Sequence, residues 1–235
     1  MRVIAIDGPA ASGKSSTGAR VAERLGWAHL DSGALYRAMT LAALDNLGEE
    51  GGGKGEGWSA QRIVALAQEL PIALALVGRE FTPTVAGVDV EEAVRSERVT
   101  ARVSAVAALP EVRAWVNAEQ RRAVARHPAG VVVDGRDIGT VVFPDADLKF
   151  YLDASDEERG LRRYRQLRGR GEPAVLAEIV AEIEERDRRD RSRAHSPLRC
   201  APDAERVDTT LLSMEEVVAL LLERCRQRLR RPQKP

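Results

Sequence analysis

Residues 8–15 read Gly8-Pro9-Ala10-Ala11-Ser12-Gly13-Lys14-Ser15, a complete G-x-x-x-x-G-K-[ST] pattern. The apolar run Val3-Ile4-Ala5-Ile6 precedes it and a helical pattern follows. In that setting a buried strand ends, a glycine-rich turn curls its N–H groups inward, and a helix N-terminus faces the enclosed anion. Lys14 then reaches the outer phosphates of a nucleotide, and the Ser15 hydroxyl holds magnesium. The expected cradle is Gly8, Pro9, Ala10, Ala11, Ser12, Gly13, Lys14, Ser15 and Ser16, with Ser15 as the metal ligand. The pattern points to a nucleoside triphosphate; it does not say what is done with it.

At 235 residues the chain is long enough for a real core, as one large domain or a core with insertions. Its 36 basic and 36 acidic residues cancel, so bulk charge does not steer it to nucleic acid. Only four of the basic residues are lysines. The opening apolar run is too short for a secretory signal, and no stretch approaches the ~18–20 residues of a membrane span. Cys200 and Cys225 have no metal-ligand spacing, and His29, His127 and His195 are scattered. A cytoplasmic protein with two unpaired thiols is expected.

Strand and helix patterns alternate, which predicts a parallel sheet flanked by helices. A helix over 14–25 leads to a short strand at 28–30, then to a helix over 34–47 with a one-sided apolar face at Leu35, Met39, Ala42 and Ala43. Residues 48–57 form a glycine-rich, charged loop, expected to be mobile. Ser59 is placed to cap a helix to Leu70. Three short antiparallel strands follow at 72–77, 80–85 and 88–90. Helices are expected over 97–108 and from Pro110 to about 126, then strands at 130–134 and 148–152. Ser155 caps an arginine-rich helix to about 168, Pro173 opens a helix to about 193, 206–208 is a last strand, and Ser213 caps a final helix. The core thus covers 1–47, 99–158 and 194–235, with a subdomain inserted at 48–98 and a hairpin at about 159–172 before the long helix 173–193.

Four further segments can carry chemistry. Asp31-Ser32-Gly33-Ala34-Leu35-Tyr36-Arg37 reads either as a helix cap with a solvated arginine or as a second anion site. Asp134-Gly135-Arg136-Asp137 sits at the C-terminal end of a strand, where ligands of open α/β sheets bind, though Asp-Gly is also ordinary turn chemistry. Arg159, Arg162, Arg163, Arg165, Arg168 and Arg170 crowd one hairpin. Arg186, Arg189, Asp190 and Arg193 share one helix face. Either arginine segment alone fits a solvated, salt-bridged surface. Together with the phosphate loop they fit a phosphoryl-transfer site, where guanidinium forks offset charge on two substrates and a closing hairpin excludes water.

No residue stands out as a general base. An alcohol acceptor needs one. A nucleoside monophosphate does not, because its second phosphate pKa is about 6 and an anionic oxygen is already present. Arginines without a base therefore favour a phosphate acceptor.

These motifs, with the run from Asp134 through Ile138-Gly139-Thr140-Val141-Val142-Phe143-Pro144 and the run Arg186-Asp187-Arg188-Arg189-Asp190-Arg191-Ser192-Arg193, resemble bacterial cytidylate kinases over nearly the full chain. The resemblance implies an α/β P-loop core, an inserted antiparallel-sheet subdomain that binds the nucleoside monophosphate, and an arginine-rich lid. It implies ATP-dependent phosphorylation of CMP and dCMP with Mg2+, by a monomer acting on small molecules. It makes Lys14, Arg136, Arg162, Arg186 and Arg193 the catalytic set. Ser32, Tyr36 and Arg37 would line the CMP site, and Arg37, Arg136 and Arg193 would clamp its phosphate. Arg186 and Asp190 would lie at ribose and phosphate, and Ser104, Arg113 and Asp137 would read the base. Cytosine offers an N4 amino donor there, whereas uracil would oppose Asp137 with an oxygen. Asp208, Thr209 and Thr210 would lie near adenine. Residues 51–57 depart from the family pattern and read as a loop insertion.

Two other classes fit less well. The only asparagines, Asn46 and Asn117, do not begin an Asn-Lys-x-Asp motif, so a GTP switch is disfavoured. The acids interleaved among the arginines disfavour a nucleic-acid module.

Overall fold

The computed structural model describes residues 2–48, 58–127 and 129–229. The chain packs as two compact units, Met1–His29 with Ala129–Pro235, and Leu30–Pro128. The glycine-rich part of the expected 48–57 loop lies outside the described residues. Among those described, no helix is long and apolar enough to cross a membrane.

The first unit is built on β1 (Val3–Asp7), whose five residues are all buried. β1 pairs in parallel with β6 (Val131–Gly135), Val3 opposite Val131 and Asp7 opposite Gly135. On its other side it pairs in parallel with β7 (Leu148–Asp153), which pairs with β8 (Glu205–Asp208). β2 (Ala28–Asp31), along which the chain leaves this unit, flanks β6. Continuous apolar strands are what a parallel sheet covered on both faces requires. One covering layer is α1 (Lys14–Leu25) with α8 (Met214–Leu229), whose Val21, Val217 and Leu221 pack on Ile4, Ile6 and Phe150. α6 (Asp156–Gly169) and α7 (Leu176–Ser192) pair as a helical hairpin.

The expected caps form. Ser155 Oγ accepts from Glu158 N–H at 3.2 Å. Ser213 Oγ accepts from Glu216 N–H while the Glu216 carboxylate takes the Ser213 N–H, a reciprocal capping box. α7 begins at Leu176, not at Pro173. The turn that ends α6 extends further than expected: Gly171 takes φ 75° and Glu172 N–H still bonds Leu167 O at 3.1 Å. The chain is then extended at Val175 before helix resumes.

Residues 138–142 form one wide helical turn, which the β-branched Thr140-Val141-Val142 does not suggest. Val142 N–H reaches back to Asp137 O and Phe143 N–H to Ile138 O. Asp7, at the end of β1, fixes this turn. Its two carboxylate oxygens accept from the N–H groups of Ile138 and Gly139, each at 2.8 Å.

The second unit contains α2 (Gly33–Leu47), α3 (Ala60–Glu69), β3 (Ile72–Val77), β4 (Glu80–Val85), β5 (Val88–Asp89), α4 (Glu97–Val106) and α5 (Pro110–Ala125). Ser59 caps α3 through Arg62 N–H. β3 and β4 pair antiparallel from Ile72–Val85 to Val77–Glu80, and β5 adds through Thr84–Asp89. α2 is not the one-sided helix the sequence pattern suggests. Ala34, Leu35, Ala38, Met39 and Ala42–Leu44 are all buried, because Ile63, Val94, Val99, Val103 and Val116 surround it.

Burial pushes the Asp7 carboxyl up to about 6, although both backbone N–H groups pull it down; a free aspartate titrates near 3.9. The unfolded chain therefore ionises Asp7 as pH passes about 4, the folded chain only as it passes about 6. Its contribution to stability is full below the first value and is lost as pH rises through the second, a change on the order of 3 kcal/mol. The Asp7→Asn variant lacks this titration. Its Tm relative to the native chain should rise by roughly 5–10 °C between pH 4 and pH 7; parallel Tm–pH curves for the two proteins would refute the assignment.

Candidate active site

The loop between β1 and α1 has the shape its sequence predicts. A Cβ on Gly8 would lie 2.1 Å from Leu152 O, so only glycine allows the loop this close to β7. Gly13 takes φ 86°, the left-handed conformation that turns the chain into α1. Ala11 adopts φ 58°, which is unusual for alanine. Lys14 arches over the loop, its Nζ donating to Pro9 O at 2.9 Å, and is buried. Ser12 Oγ is buried with no hydrogen-bond partner among the described residues. An ammonium and an orphaned buried hydroxyl at a helix N-terminus suit a polyphosphate.

Ser15 Oγ donates to Asp134 Oδ2 at 2.5 Å, and Asp134 Oδ1 pairs with His29 Nε2 at 2.9 Å. Asp134, next to last in β6, lies opposite Ile6 of β1, so sheet register brings an acid to the serine. Two hard oxygen donors side by side fit magnesium. No cluster of three or more metal-binding side chains occurs among the described residues. The remaining ligands of such an ion would be phosphate oxygens and water.

The arginine segments are brought together around Asp190. Arg136 Nε donates to Asp190 Oδ2 at 2.9 Å, and Arg193 Nη2 bonds Oδ1. Burial pushes the Asp190 carboxyl up, but the neighbouring Arg136, Arg193 and Arg186 outweigh it and hold its pKa below the usual range. Asp137, buried, lies close enough to raise Asp7 by charge repulsion. Arg162 is docked beside the phosphate loop. It donates to Thr209 O at 2.6 Å and to Thr209 Oγ1 at 3.0 Å, and makes a longer 3.4 Å contact with Ser12 O.

The second unit gathers its own set. The Arg113 guanidinium lies 5.4 Å from the Tyr36 ring centroid, and Tyr36 Oη makes a 3.5 Å contact with Asn117 Oδ1. Gln120 Nε2 donates to Ser32 O at 2.9 Å. Arg37 Nη1 bonds Thr100 Oγ1 at 3.3 Å, and Ser104 stands one turn further along α4, half-buried. Asn117 and Gln120 escape the sequence reading. Their signal is present all the same: with Arg113 they follow i, i+4, i+7 spacing, a polar stripe on a helix, and all three are buried.

The family model described as cytidylate kinase matches residues 4–227. A cytidylate kinase of Stutzerimonas stutzeri is 46% identical over 224 residues, covering 94% of this chain and 93% of that protein. One from Geobacillus kaustophilus is 44% identical over 229 residues, with 96% and 97% covered. The crystal structure of an uncharacterized protein from Eubacterium ventriosum aligns over 97% of this chain and 100% of its own at TM-score 0.50 and 9% identity, a likeness of fold alone. A phosphate loop backed by a serine–aspartate pair, an arginine cluster on a buried acid, and a match running almost from end to end lead to one assignment: the chain belongs to the cytidylate kinase family.

Proposed function

We propose that the protein transfers the terminal phosphoryl group of ATP to CMP, and to dCMP, giving ADP and the nucleoside diphosphate. The transfer is direct and in line, with no covalent enzyme intermediate. The observation that carries this reading is the gathering of Arg136, Arg186 and Arg193 around Asp190, in the same unit as the phosphate loop. Such a cluster offers fixed positive charge and no base, which suits an acceptor that is already anionic.

Lys14 and the loop backbone hold the triphosphate. Ser15 and Asp134 would hold magnesium, which when bound offsets charge on the terminal phosphates. The hairpin around Arg162 to Gly171 delivers an arginine to the migrating group, and Arg37, Arg136 and Arg193 take the acceptor phosphate. Arg186 and Asp190 position phosphate and ribose. Ser32, Tyr36 and Arg37 line the CMP site, Ser104, Arg113 and Asp137 read the base, and Asp137 accepts from the cytosine amino group. The enzyme is taken to act as a cytoplasmic monomer on small molecules alone.

A coupled ADP-release assay over CMP, dCMP, UMP and AMP tests this. CMP and dCMP should lead, and equal use of UMP would refute the role of Asp137. Asp137→Ala should lower kcat/KM for CMP roughly 100-fold and leave the KM for ATP within about twofold, since base and triphosphate are held by different groups.

Lys14→Ala should lower kcat at least about 100-fold with every acceptor, because it removes fixed charge from the transferring group. A native rate in that variant removes the loop from the chemistry.

A further inference from the structure

We propose that the buried Arg159–Asp187 pair is a positioning device for the phosphate loop, fixing the Ala10 peptide and so tying triphosphate affinity to the packing of α6 on α7. It rests on the kinase reading only in taking the loop to bind ATP. The pair grips both ends of one residue. Asp187 Oδ1 accepts from Ala10 N–H at 2.8 Å, and Arg159 Nη1 donates to Ala10 O at 2.8 Å. The same Nη1 bonds Asp187 Oδ2 at 2.5 Å, closing the ring. The rest of the guanidinium is also used: Nε donates to Ala154 O and Nη2 bonds Asp156.

Both side chains are 1% exposed, so neither touches a nucleotide. Their role is to hold what does. Ala10 is seated further on α7, in a small apolar cluster with Ile179 and Ile183. The next residue, Ala11, has its left-handed φ of 58°. Alanine keeps such a conformation only where the surroundings over-determine it. Here they do, with two charge-assisted bonds and an apolar seat within one residue. A loop whose inward N–H groups are kept for an anion has few internal bonds to hold its shape, so outside anchors decide it. The anchors come from the two helices that carry the arginine-rich hairpin. Movement at the base of that hairpin is therefore coupled to the cradle, and by linkage a filled cradle must stiffen the base.

Calorimetric affinities for ATP and for CMP, with thermal unfolding in parallel, are compared for the native chain, Asp187→Asn, and the double variant Arg159→Met/Asp187→Leu. The amide keeps the shape and an acceptor for Ala10 N–H but loses the charge. The double variant fills the site with apolar atoms and leaves no unpaired buried charge, a replacement that proteins often tolerate. Each folded variant should lose ATP affinity 10-fold or more, with CMP affinity changed less than twofold. Native ATP affinity in a folded variant, or equal losses for both nucleotides, overturns the proposal. Hydrogen exchange on the native chain decides if neither variant folds: a non-hydrolysable ATP analogue should slow amide exchange in α7 around residues 183–190, and unchanged exchange there overturns it. A native chain that binds ATP but fails to phosphorylate CMP sinks the kinase reading and leaves this one standing.

Discussion

A loop that wraps an anion cannot also satisfy its own backbone. Its N–H groups point inward, away from any strand or helix ladder, so its shape must be imposed by neighbours. In this protein buried aspartates hold the loop and the turn that follows Asp137. Asp134, next to last in β6, takes the Ser15 hydroxyl and the His29 ring. Asp187, from α7, takes the Ala10 N–H. Asp7, at the end of β1, takes the N–H groups of Ile138 and Gly139 and so sets the turn that follows Asp137. Each is almost fully buried, where an ionised carboxylate is costly unless it is bonded on both oxygens. All three have both oxygens engaged, though for Asp7 burial still outweighs its two bonds and pushes its carboxyl up to about 6.

The sheet explains why these acids stand where they do. β1 and β6 run parallel with Asp7 opposite Gly135, which puts Asp134 and Asp137 within reach of the loop that leaves β1. Parallel strands bring their C-terminal ends to one edge, so residues more than a hundred positions apart become neighbours. The Asp7 bonds to residues 138 and 139 span 131 and 132 positions. Such contacts form only when the sheet is complete, which ties the site to the fold.

That separation also marks what the sequence reveals and what it withholds. The phosphate loop is contiguous, and its glycines are dictated by a close approach and a left-handed turn, so eight letters suffice. The caps at Ser59, Ser155 and Ser213 are local and legible for the same reason. The wide turn at 138–142 is not, since its own residues favour strand and its cause lies at Asp7. Asp187 is hidden in a run of alternating acids and arginines, where nothing local separates it from Glu184. Arg159 is masked by five further arginines of the hairpin, and only burial distinguishes it from the exposed Arg165. The burial of α2 on nearly all sides is likewise invisible in its pattern, because alanines and leucines fit either one face or many.

The same buried acids bear on how the arginines can work. A guanidinium placed alone at an active site would swing toward water, and ordering it would cost side-chain entropy at each binding event. Asp190 prevents that by holding Arg136 and Arg193 in advance. The pairing leaves capacity to spare, since each fork carries five N–H donors and Asp190 accepts one from each here. On the proposed reading an arriving phosphate meets donors already aimed and need not break the pairs. Because three arginines hold Asp190 ionised, its charge partly offsets theirs. The cluster keeps a net positive charge, enough to attract a dianion, with less mutual repulsion than bare arginines would suffer. Preorganised forks with tempered charge suit a site that must bind a phosphate, stabilise transfer to it and then release a product more highly charged than the substrate.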